Sequence, residues 1–238
     1  MGLERSRTFR ESRFFLCNEA MAALGIPTTR ALAVVTTGEP VWHLVRLAET
    51  LLPLLAEDND AAVKEAQDAI GEFAKTFEMA YAAGLSRKLG LLQPRPDDLS
   101  LAQDLFERMA LNGADFTLVF RRLCDAAAGP EGDTGVRSLF ADPGAFDDWA
   151  VRWRHRLAEE GGESTERQSA MRAANPTFIP RNHLVEEAII AAVNDGNFLP
   201  FESLLSVLSA PYEDQPAFRR YVDPPRPDQV VHQTFCGT

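Results

Sequence analysis

Four histidines and three cysteines are the residues of this 238-residue chain most able to do chemistry. His43, His155, His183 and His232 sit alone on separate elements, each without a second histidine beside it. A metal site or a proton relay needs such a partner, so each reads as a surface or packing histidine. Asp58-Asn59-Asp60 starts like a calcium loop but lacks the glycine and the distal glutamate, which leaves a loop and a helix N-cap. Asp115-Phe116 is followed by Thr117 rather than glycine, so it is no metal-binding D-F-G. Asn194-Asp195-Gly196 is a helix stop. Cys17, Cys124 and Cys236 are too few and too scattered for a disulfide framework or a zinc site. No Walker loop, G-x-G-x-x-G, H-E-x-x-H or G-x-S-x-G occurs. Residue chemistry alone gives no catalytic set and no metal site.

Bulk composition narrows the classes further. The chain is 45% apolar and 25% charged, which is ordinary for a protein with a packed core. A formal net charge of −11 argues against nucleic acid, whose phosphates require a basic surface. No apolar run approaches the roughly 20 residues that span a bilayer. The N-terminal stretch "MGLERSRTFRESRFFL" carries Arg5, Arg7, Arg10 and Arg13, but Glu4 and Glu11 spoil an acid-poor targeting pattern. Gly2 and Ser6 fit the loose myristoylation pattern, which is common by chance. Scattered cysteines and no secretory segment lead to the expectation of a reducing cytoplasm.

The elements that would have to position any site are almost all helices. Phe14, Leu16, Ala20, Met21 and Leu24 make an amphipathic helix of 9–24, stopped by Gly25 and Pro27. "ALAVVTT", Ala31 to Thr37, is the one credible strand, and nothing downstream offers it a partner. After Gly38-Glu39-Pro40 the pattern turns helical at once. Helices are expected over 43–55, 60–85 (with Ile70, Phe73, Phe77 and Tyr81 in one stripe), 99–110, 115–127, 143–157, 181–194 and 199–208. "AAAGPEGDTG" reads as a flexible connection, and the proline-rich last thirty residues as an extended tail.

Several strings together carry a resemblance: "NEAMAALGIPTTRALAVVTTGE", "WHLVRLAETLLPLL", "ADFTLVFRRL", "NPTFIPRNHLVEEAI", "PYEDQPAF" and "TFCGT", in this order. Over most of its length, from Asn18 to Thr238, the chain resembles the selenoprotein O family, YdiU in bacteria, the pseudokinase-like protein adenylyltransferases. The resemblance implies a mainly α fold. A kinase-like N-lobe remnant (1–41, one helix and one strand) would lead into a helical C-terminal domain (42–209) and a proline-rich tail (210–238). In that family most of the kinase-like core separates "VTTGEPV" from the tryptophan helix, whereas here Val41 meets Trp42 directly. The chain therefore resembles an internally deleted and N-terminally shortened member.

The family transfers AMP from ATP, with Mg²⁺, to Ser, Thr or Tyr hydroxyls of proteins. That chemistry needs cations on the phosphates, metal ligands and a group to position the hydroxyl. By the resemblance, the phosphate lysine falls upstream of Met1, and the metal ligands and catalytic aspartate fall in the segment missing at the seam. The family's helix glutamate falls at Phe14, with Glu11 one turn early, so its role does not carry over. Arg30 matches the family string as a nucleotide contact or as a plain strand-start arginine. Asn175, Arg181 and Asn182 match too, and Asn175 is expected to cap the helix that follows it. Cys236 stands where the family has a redox-active cysteine or selenocysteine, while Cys17 and Cys124 are expected to be buried. ATP and Mg²⁺ are the family's cofactors, with no productive binding expected by this chain. Protein substrates and a redox partner at Cys236 are the expected partners. Three functions stay open: an inactive adenylyltransferase fragment, a helical protein-interaction module with a redox-active terminal cysteine, and an enzyme completed by a partner chain.

Overall fold

A computed structural model describes residues 40–231. The expected helix of 9–24, the strand Ala31 to Thr37, Arg30, Cys17, His232 and Cys236 lie outside the described residues. Within them the architecture is helical, with no strand. Nine α-helices follow in order: α1 (Pro40–Leu55), α2 (Asn59–Lys88), α3 (Asp98–Asn112), α4 (Phe116–Ala126), α5 (Asp133–Arg137), α6 (Pro143–Glu160), α7 (Ser164–Ala174), α8 (Asn182–Asp195) and α9 (Leu199–Leu208).

Local chemistry sets most of the ends. Asp58 caps α2 by accepting from the Ala61 N–H, and Asp115 caps α4 by accepting from the Leu118 N–H. Gly113 and Gly196 close α3 and α8 in the left-handed conformation, which costs glycine no Cβ clash. Pro143 opens α6 where its missing N–H would have no helical acceptor.

The described residues divide into two compact units. The first holds 40–113 and Gly144–Gly161. Its core is filled from α6 by Phe146, Trp149 and Trp153, all fully buried, against Leu85, Leu89, Leu105 and Met109. Trp149 and Trp153 stack at 5.3 Å between ring centroids. Each indole N–H finds a backbone carbonyl, Trp149 donating to Leu101 and Trp153 to Leu89, both at 2.9 Å. A large ring can be buried there because its one polar atom is satisfied. Arg156, one turn past Trp153, donates to Asp98 at 2.7 Å, to the Gln93 carbonyl at 2.7 Å and to Glu160 at 2.8 Å. Phe73, Phe77 and Tyr81 do form one stripe on α2, stacked at 5.9 and 5.8 Å and half-buried.

The second unit holds Ala114–Pro143 and 162–231. Phe178, Leu184, Leu204, Val207 and Tyr221 form its apolar cluster, with Val185, Leu208 and Phe218 packed against it.

Three expectations are corrected. "AAAGPEGDTG" is no flexible connection: Pro130–Gly132 is a 3-10 turn running into α5, whose Val136 is fully buried. The start of the tail is not extended: Pro216–Tyr221 is a 3-10 helix, fastened by the buried Tyr221 and by Arg220 to Glu187 at 2.6 Å. Sequence periodicity also passed over α7, because Met171 and Arg167 are its only buried residues and make no stripe.

Candidate functional site

Three of the strings that carry the resemblance, 114–123, 175–189 and 211–218, lie far apart in sequence and meet in the second unit. The link is made by arginines. Arg121 projects from α4 and is only 10% exposed. It donates to the Asn175 carbonyl at 3.1 Å, to the Arg172 carbonyl at 3.3 Å and to Asp214 at 2.6 Å. A planar, always-charged fork spreads its donors over separate nitrogens and reaches acceptors on two sides, whereas a lysine's three N–H groups all leave one nitrogen. Beside it, Arg172 pairs with Asp125 at 2.6 Å. The main chain joins in, with the Thr177 and Phe178 N–H groups both donating to the Pro211 carbonyl at 2.8 and 3.1 Å.

Arg181 makes the second link. It stands at the N-cap of α8 without capping it, and its guanidinium turns back to α4. There it grips Asp115 with two bonds of 2.8 and 3.1 Å. Asp115 thereby serves two donors, Arg181 and the first turn of its own helix.

Asn175 sits between these links and is fully buried. The expectation that it caps the following helix is overturned. It ends α7, its N–H donating to the Met171 carbonyl at 2.9 Å, and α8 begins only at Asn182. Pro176 explains the geometry, since the residue before a proline is pushed out of the helical region and Asn175 has φ −120 and ψ 99. Its side-chain amide points at the Cys124 sulfur, 3.7 Å away. Cys124 is fully buried as expected, and burial pushes its thiol up despite the Asn175 bond and the nearby Arg121 and Arg172 charges. A protonated, enclosed thiol is a poor nucleophile.

The electrostatics follow from the same contacts. Desolvation raises the Asp214 carboxyl, but the Arg121 bond and charge together with the Thr177 hydroxyl outweigh it and hold it below the usual range. Burial lowers His183, helped by the Arg181 charge, and its Nδ1 is enclosed without a hydrogen-bond partner.

What this arrangement can do is hold helices in register. Among the described residues no three His, Cys, Asp or Glu side chains come together to hold a metal ion. Three carboxylates are already engaged by arginines, the buried Asp98 by Arg156, the partly buried Asp115 by Arg181 and the largely exposed Asp214 by Arg121. The cleft between α1 and α2 is lined by leucine, alanine, isoleucine and phenylalanine, which suits no triphosphate. These residues do not fit a nucleotide-bound magnesium ion. His155 is exposed on α6 with its Nδ1 3.3 Å from Glu159 one turn on, and His183 is half-buried on α8. Single-residue motif searching missed Arg121, Asp214 and Arg172. Their signal was indirect: Arg121 and Asp214 lie inside the quoted strings.

Comparison with known proteins bears on the same residues. The family described as protein adenylyltransferase SelO matches residues 41–209. The chain is similar to the protein nucleotidyltransferase YdiU of Bradyrhizobium diazoefficiens, 58% identical over 198 residues, covering 83% of this chain and 40% of the relative. It is similar to proteins of the same description from Methylorubrum extorquens, 55% identical over 204 residues (83% and 41%), and Rhodopseudomonas palustris, 54% over 198 residues (83% and 40%). The chain thus spans about 40% of the length of these curated relatives.

Proposed function

The chain belongs to the SelO protein adenylyltransferase family, and from that premise we propose that it is the helical C-terminal part of a protein nucleotidyltransferase, without AMP-transfer activity of its own. The family reaction would move AMP from ATP to a protein hydroxyl, which needs phosphate cations, Mg²⁺ ligands and a positioned hydroxyl within one site. The observation that carries the reading is the use to which three arginine-paired carboxylates are put. Asp98, Asp115 and Asp214 each neutralise an arginine that fastens one helix or loop to another, so their charge holds the fold rather than a metal. The span matched by the family begins at Val41, next to Trp42, where the resemblance would put the missing core. Protein substrates and a redox partner at Cys236 belong to the same proposal.

The test is transfer of labelled AMP from ATP and Mg²⁺ to the chain itself and to a generic protein acceptor. No incorporation above a protein-free control is expected, because groups that act as a unit leave little behind when several are absent. Incorporation that disappears on substituting a residue of this chain would overturn the reading.

A further inference from the structure

The α1–α2 hairpin carries an apolar trough open to solvent. Leu47, Leu51 and Leu55 form a row along α1, and Ala66, Ile70 and Phe73 face them from α2. Leu47 is 54% exposed and Leu54, beside the trough, 80%. A contiguous apolar face of this kind marks a surface that another element covers. We propose that its occupant is the chain's own segment 9–24, laid along the trough as a third helix.

Three observations favour that occupant. The first is length. Residues 25–39 join the segment to the start of α1, and fifteen residues can reach about 50 Å, while the sixteen-residue α1 is only about 24 Å long. The tether spans the hairpin easily and holds the segment at an effective concentration on the order of millimolar. The second is pattern. Phe14, Ala20, Met21 and Leu24 repeat at helical spacing, so the segment has an apolar stripe to match the trough. The third is charge. Arg5, Arg7, Arg10 and Arg13 lead into and flank that stripe, whereas exposed Glu57 and Asp58 at the hairpin turn and Glu65 and Glu72 beside the α2 row are acidic.

Cys17 lies within the segment and makes the proposal testable in the full chain. In a Cys236→Ser background, Ala69→Cys places a thiol in the trough and Lys75→Cys places one on the opposite face of α2. A short bismaleimide should join Cys17 to position 69 within one chain at least five times more readily than to position 75. Equal yields, or no link at 69, would overturn the proposal. Links between two chains would also overturn it, in favour of a second copy as the occupant. A second measurement leaves the hairpin unaltered. The double substitution Phe14→Asp and Met21→Asp should speed hydrogen exchange of α1 and α2 amides about tenfold, since cover removed from a helix face loosens it. Unchanged exchange would mean that the segment does not seat there.

Discussion

Arg121 concentrates more of the second unit's geometry than any other single side chain described, because two main-chain carbonyls and one carboxylate converge on it. Arg121→Ala leaves those acceptors without their donor, and the enclosed Asn175 carbonyl has no route to water. The expected loss of unfolding free energy is about 2–3 kcal/mol, the cost of unsatisfied buried acceptors. Asp214 adds little to this, since 71% of its side chain faces solvent. Arg121→Lys should recover only part of the loss, because an ammonium's donors share one nitrogen and cannot stand where both guanidinium nitrogens stood. Urea unfolding of the three proteins side by side checks both statements, and a Lys variant as stable as the parent would contradict the second.

His183 makes a separate prediction at the same scale. Burial and the Arg181, Arg220 and Arg226 charges disfavour its protonated form, and Glu187 opposes them only in part. Its folded pKa is below its unfolded value, so protons bind the unfolded chain more readily. The associated stability is present above about pH 6.5 and is lost as the pH falls through the folded value. The thermal midpoint should therefore drop between pH 7.5 and pH 5.5, and His183→Gln should flatten that slope. An identical slope in the variant would assign the pH dependence to other groups.

Among the elements, the turn between α4 and α5 gives the sharpest case. A Cβ built on Gly132 would meet the Asp125 carbonyl oxygen at 2.3 Å and the Ala126 nitrogen at 2.7 Å, both main-chain atoms of α4. Gly132 has φ −77, so the requirement for glycine there is close approach and not handedness. Gly132→Ala must push the 3-10 turn off α4 and should cost about 1–3 kcal/mol. Gly135→Ala, inside α5, meets only the flexible Arg122 side chain at 3.2 Å. It should be neutral or mildly stabilising, since alanine gains up to about 1 kcal/mol over glycine inside a helix. Thermal melts of the two variants separate these outcomes, and equal melting would show that the turn does not rest on α4.

The molecule as a whole is organised by discontinuous units. The first unit takes α1–α3 from before Gly113 and the tryptophan helix from after Pro143. A fragment ending at Pro143 therefore keeps Leu85, Leu89, Leu105 and Met109 but loses Phe146, Trp149 and Trp153, which are fully buried in the same unit. Removing even one such aromatic costs about 3–5 kcal/mol, a large share of an ordinary domain's stability. The fragment should lose cooperative thermal unfolding and bind ANS, whereas the chain from residue 40 onward keeps both tryptophans and should melt cooperatively. A cooperative melt of the short fragment would show that the first unit does not need α6.

The sequence by itself determined the helical class, most helix positions and the family. Those signals are local or textual: apolar stripes at 3.6-residue spacing, capping residues such as Asp58 and Asp115, glycines at 113 and 196, and strings quoted in order. It placed Cys124 in the interior for the same reason, since its helix position is apolar. What only the tertiary structure decided is which distant residues meet. Asn175 looked like a cap for the next helix and became the buried end of the previous one, because the backbone before Pro176 is held extended and its carbonyl is claimed by Arg121. Arg181 matches the family string with no role read from it, and it is half of a bidentate pair with Asp115, 66 residues away. No periodicity carries such pairings, because an ion pair depends on the direction of two side chains in space, and that direction is fixed only when the helices bearing them have packed.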